Sequence, residues 1–220
     1  MIFALRLSAI ALLTSVFLFS TAHALETSSG TQCVYDENAM LNLDPNTFDQ
    51  DESVGFRLLG NRRECRIAAA DVIAVYIKKH HLELARNWQI PSFKWHEATM
   101  RALGGDSKGA IRLMKQSIKP EVGPPEFTGW TEFALPWNQY VRATIAFLNH
   151  DRAALQRARE QLAKAPMPAE FAKIDTSQTG GVLPPWPQNL DVVDGLIACF
   201  GKPYDEAFGS PACRAAGQKR

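Results

Sequence analysis

The chain lacks most of the features that name a function outright. It has no glycine-rich phosphate loop and no H-E-x-x-H zinc helix: after His96-Glu97, the second histidine's place is taken by Met100. The single G-x-S-x-G match, Gly105-Asp106-Ser107-Lys108-Gly109, follows a helical pattern where a nucleophile elbow needs a strand, and its glycines are needed as a turn. Charge excess is missing too. The 24 Lys and Arg face 23 Asp and Glu, and Arg6 is the only charge before Glu26. Such a balance argues against nucleic acid as a partner, which requires a basic surface, and gives no electrostatic pull toward anionic membranes. Past the N-terminus no apolar run approaches the ~20 residues of a spanning helix.

Cysteine is scarce but even in number. The N-terminus, MIFALRLSAIALLTSVFLFSTAHALE, carries an apolar run from Leu7 to Phe19 and small residues at Ala22 and Ala24, as in a secretory signal peptide (residues 1–24) cleaved after Ala24. The expected location is therefore periplasmic or extracellular, with no stable membrane insertion after cleavage. In that compartment Cys33, Cys65, Cys199 and Cys213 read as two disulfides. Of the three possible pairings, Cys33–Cys65 with Cys199–Cys213 is favoured, because each pair lies in one terminal region. A zinc site made from all four is disfavoured, since their spacings are not those of zinc knuckles.

Helical periodicity dominates what remains. Residues 25–61 are polar and turn-rich and read as an irregular N-terminal arm, with a short helix near Glu37–Leu43. A helix over 62–80 shows two apolar stripes, one through Ile67, Ala70, Ile73, Ala74 and Ile77 and another through Ala69, Val72 and Tyr76. A hairpin follows over 92–118, with Gly104-Gly105-Asp106 as its turn and Ala110, Ile111, Leu113, Met114 and Ile118 on one face. The pattern recurs over 139–164 around Asn149-His150-Asp151. Ala98-Thr99 matches Ala143-Thr144, and Ala110-Ile111 and Ile118 match Ala154-Leu155 and Leu162, a one-residue change at the turn reconciling the two offsets. A last helix is expected near 189–200, and a flexible tail over 214–220. The fold class is all-α: an irregular, disulfide-stabilised stack of helical hairpins forming one domain over 62–213.

Gly105-Asp106, then Ala110-Ile111, with the small Ala98 in the preceding helix, resembles the tetratricopeptide repeat (TPR) over about residues 92–166. The second unit has His150 where the first has its turn glycine, and the segments 119–135 and 166–188 are longer than in regular arrays. The resemblance implies a protein-binding scaffold, usually without catalysis, and no particular partner.

Proline precedes tryptophan three times near a helix start, in IPSFKW (90–95), LPWNQY (135–140) and PPWPQNL (184–190). Each tryptophan can staple a helix entrance onto the preceding hairpin or join an aromatic strip facing a partner. The stretch FTGWTEFALPW (127–137) reads as a long aromatic loop, and Gly129 suggests a turn apex that exposes Trp130. Trp130, Phe133, Trp137 and Trp186 are thus the candidate partner-binding residues. The leading expectation is an exported, non-enzymatic binding protein for a protein, peptide or cell-wall component, with no cofactor and no metal. A small secreted enzyme using His96, Glu97 and His150 is the alternative, and a structural oligomer subunit a third. Solvated helix ends account for Asp191/Asp194 and Asp205/Glu206.

Overall fold

The computed structural model describes residues 33–125, 129–173, 176 and 182–218, so the expected signal peptide lies outside the described residues. All regular structure among them is helical: α1 Glu37–Leu41, α2 Pro45–Gln50, α3 Arg57–Gly60, α4 Arg66–Lys79, α5 His81–Arg86, α6 Ile90–Leu103, α7 Ser107–Gln116, α8 Trp130–Leu148, α9 Arg152–Ala163, α10 Leu190–Ala198, α11 Tyr204–Gly209 and α12 Pro211–Gln218, with two short 3-10 turns. Helices α6 and α7 pair as one hairpin and α8 and α9 as another, while α10 pairs with α12.

The two hairpin turns share one geometry. Gly105 and His150 both take left-handed backbone, at φ 92° and 56°. The next residue's N–H reaches back five residues, from Asp106 to the Arg101 carbonyl (2.8 Å) and from Asp151 to the Ala146 carbonyl (2.9 Å). Each aspartate then caps the following helix, Asp106 accepting from Gly109 N–H and Asp151 from Ala154 N–H, both at 2.8 Å. These are Schellman ends followed directly by N-caps. Histidine in place of glycine changes the residue and keeps the turn. The Schellman end alone, without a side-chain cap, recurs between α5 and α6, with Trp88 at φ 55° and Gln89 N–H on the Leu84 carbonyl.

At Gly105 an added Cβ would meet nothing within 4 Å, so any cost of substitution is backbone strain. Gly105→Ala should therefore lower stability by about 1 kcal/mol in urea melts. His150→Ala should change it much less, since the native residue already carries a Cβ in that region. Equal losses would show that the turns are not equivalent.

Two hydrophobic cores form, and α6 contributes to both. Trp95, Ala98 and Ala102 face a core built with α7 through α11, while Phe93 faces another with α1 through α5. The residues expected to form an irregular arm therefore fold into three short helices, which place Met40, Phe48, Phe56 and Leu59 in the second core. Asp36 and Asp44 cap the first two, and Pro45 occupies the first position of α2, where its missing N–H has no cost. Tyr76 of α4 is fully buried, stacks on Phe48 at 3.7 Å and donates to the Leu43 carbonyl at 2.7 Å; burial raises its pKa.

The disulfides are Cys33–Cys65 and Cys199–Cys213. The first ties the N-terminal helices to the foot of α4; the second ties the end of α10 to α12. Both fit an oxidising, exported setting. Among the described residues no helix is long and apolar enough to cross a membrane. The expected flexible tail is corrected as far as residue 218: α12 continues to Gln218, and Gly217 lies so close to the Asp194 backbone that a Cβ would come within 2.5 Å.

Candidate functional site

The largest departure from the sequence reading is at 127–137. Residues 127 and 128 lie outside the described residues, and Trp130 to Trp137 form the first two turns of the 19-residue helix α8, not a loop. The sequence places Pro136 at a helix entrance, whereas it lies inside the helix. Proline removes one backbone donor but leaves its neighbours free to continue, and α8 runs through it. Gly129 does turn, at φ 81°, but it directs Trp130 inward. That ring is only 9% exposed, against the expectation of an exposed apex.

Each of three indoles is fastened to backbone near the end of a preceding helix. Trp137 Nε1 donates to the Ser117 carbonyl at 2.8 Å, Trp130 Nε1 to Pro120 at 2.8 Å, and Trp186 Nε1 to Ala165 at 2.9 Å. Ser117 is the last cap of α7, and Ala165 follows the cap of α9. Two of the three Pro-Trp stretches, through Trp137 and Trp186, thus supply C-terminal acceptors with donors across consecutive hairpins. Stapling describes these N–H groups well, and the ring faces make further contacts of their own.

Those faces surround a residue that the sequence reading passed over. The segment 117–120 is held by Trp137, Trp130 and the buried Asn138, whose Oδ1 accepts from Lys119 N–H at 2.8 Å while its Nδ2 donates to the Lys119 carbonyl at 2.9 Å. The Lys119 ammonium then lies 5.3 Å from the Trp130 ring centre and 5.2 Å from that of Trp137. It opens on a recess of about 110 Å³ to which Phe133, Trp137 and Trp186 contribute. Burial lowers the lysine's pKa. The clamp joins residues 19 apart through an asparagine inside a helix, and no local pattern in Ile118-Lys119-Pro120 announces it.

On the other side of the same two turns lies an open groove of about 380 Å³. Thr131, Leu135 and Gln139 form one wall; Gln161, Lys164 and Pro166 at the end of α9 contribute to the other. Leu135 is 48% exposed there. Phe133 faces the recess side, where its ring meets Trp186 edge-on at 6.1 Å.

No family model, curated protein or solved structure matches this chain.

The residues of the alternative catalytic reading engage separate partners. His96 Nε2 lies 3.2 Å from Asp49 Oδ1, and its ring packs on Phe56 at 5.5 Å. Burial pushes the Asp49 pKa up, but the His96 hydrogen bond and charge, with Gln50 and Arg57, leave it lowered overall. Glu97, almost fully buried, pairs with Lys94 at 2.9 Å and Arg101 at 3.5 Å on its own helix. His150 sits in its turn beside Phe200. Among the described residues no group of three or more His, Cys, Asp or Glu is placed to hold a metal ion.

Proposed function

We propose that this is an exported, TPR-like binding protein of the periplasm or the extracellular space, and that it receives a peptide segment of a partner protein in the groove between α8 and the end of α9. The observation that carries the reading is Leu135. It is a half-exposed leucine in a concave site, flanked by Gln139 and Gln161, whose amides can meet peptide backbone. The recurrent turn at Gly105 and His150 supports the repeat-like part of the reading. Binding is favoured over catalysis because His96, Glu97 and His150 are each committed to different neighbours.

The test places a photo-crosslinking amino acid at Gln139 in the full-length protein, expressed with its own N-terminus in its native envelope. The same group at Val75, exposed on α4, is the control. A discrete adduct from Gln139 alone, abolished by Leu135→Asp, is the expected result. Because Leu135 is half exposed, that substitution should shift stability by only about 0.5 kcal/mol. An adduct of twice the chain's mass would instead establish the oligomer reading. Adducts that ignore Leu135→Asp would remove the groove from consideration.

A further inference from the structure

Lysine ammonium groups ordinarily reach water by extending their apolar stems along the surface. When buried, they are paired. Lys119 does neither in the ordinary way. Its backbone is gripped on both sides by Asn138, and its neighbours Ser117 and Pro120 are gripped by Trp137 and Trp130. The side chain is therefore delivered into an aromatic slot by a fixed scaffold. Among the described residues no charged group contributes to its altered proton affinity, which burial lowers by itself. The ring faces of Trp130 and Trp137 attract the cation but accept no conventional hydrogen bond from it. Three donors and one charge thus face a recess, with the Trp130 and Trp137 rings beside them.

We propose that Lys119 is the recognition group of a carboxylate-binding site in this recess. Gln188 and Asn189 line the same space and offer amide donors beside the ammonium, while Phe133, Trp137 and Trp186 supply apolar walls for the carbon next to the carboxylate. The recess, about 110 Å³, has room for a few heavy atoms. One cation matches one negative charge. A phosphate dianion would need a second cation, and no arginine or other lysine lines the recess. The site goes beyond the peptide groove on the other side of α8 and does not depend on it. Its ligand can be a small free acid or the carboxy terminus of a chain, since both present the same group.

Preorganisation distinguishes this site from a surface lysine. The backbone that places the ammonium is hydrogen-bonded to Asn138, Trp130 and Trp137 before any ligand arrives, so little ordering is left to oppose binding.

The experiment titrates the full protein with propionate, with acetyl-diglycine as its free acid, with the same peptide as its amide, and with inorganic phosphate. Intrinsic tryptophan fluorescence is the readout, because Trp130 and Trp137 flank the ammonium. The expected result is a saturable change with a free acid and none with the amide or phosphate. A response to propionate as well as to the peptide acid assigns the site to small acids; a response to the peptide acid alone assigns it to chain termini. Lys119→Met keeps the stem and removes the charge, and should weaken the acid's apparent affinity by about tenfold or more while leaving the thermal midpoint unchanged or higher. A wild-type protein that does not distinguish acid from amide would overturn the proposal, and that comparison needs no variant. So would an unchanged response in Lys119→Met, or saturable binding of phosphate with the acids silent.

Discussion

Replacing Cys33 and Cys65 together by serine is expected to cost about 3–4 kcal/mol of unfolding free energy. The bridge spans 32 positions in sequence, and in the chain-entropy account a closed loop of that length restricts the unfolded state by about that amount. Geometry adds to the expectation. Cys65 is fully buried at the foot of α4, and the three short helices upstream contribute Met40, Phe48 and Phe56 to a core they cannot form alone. Cys199–Cys213 closes a shorter loop, 14 positions, and its loss should cost about 3 kcal/mol. Urea melts of the two double variants check both values. A Cys33/Cys65 variant within 1 kcal/mol of the parent would mean that the N-terminal helices need no covalent tie.

Trp130→Ala is the second large effect, at about 3–5 kcal/mol. Three features of the ring lead to it. It is almost fully enclosed, its indole N–H holds the Pro120 carbonyl, and Gly123 packs so closely that a Cβ there would come within 2.0 Å of Trp130 Cγ. The substitution removes apolar area, opens a cavity and leaves a carbonyl without its donor. Thermal and urea unfolding should both register the loss. A change below about 1 kcal/mol would show that segment 120–125 repacks over the gap. As a probe of partner contact, Trp130 is a poor choice. Leu135 is a better one, because a loss of binding there is not confounded by a loss of fold.

Helices, turns and cross-links were legible because their signals are local. Gly105-Asp106 and His150-Asp151 mark turns, apolar positions recur with helical spacing, and the cysteines segregate by region. Both stripes on α4 are buried, through Ala69, Val72 and Tyr76 and through Ala70, Ile73 and Ile77, while Ile67 at the start of the first is 37% exposed. The start of α8 was not legible, because proline inside a helical pattern ends some helices and is tolerated in others. The environment of Lys119 was not legible either. It depends on Asn138 and two tryptophans placed 11 to 19 residues away, and sequence periodicity carries no information about which backbone segment a buried amide will grip.

Helix α6 has a consequence for modularity. Phe93 closes one core while Trp95, Ala98 and Ala102 line the other, so a single rod serves as the wall of two rooms. No cut on either side of it leaves two complete pieces: whichever fragment keeps α6 exposes an apolar face, and the other loses its lid. The seam between the two cores is a helix, not a linker.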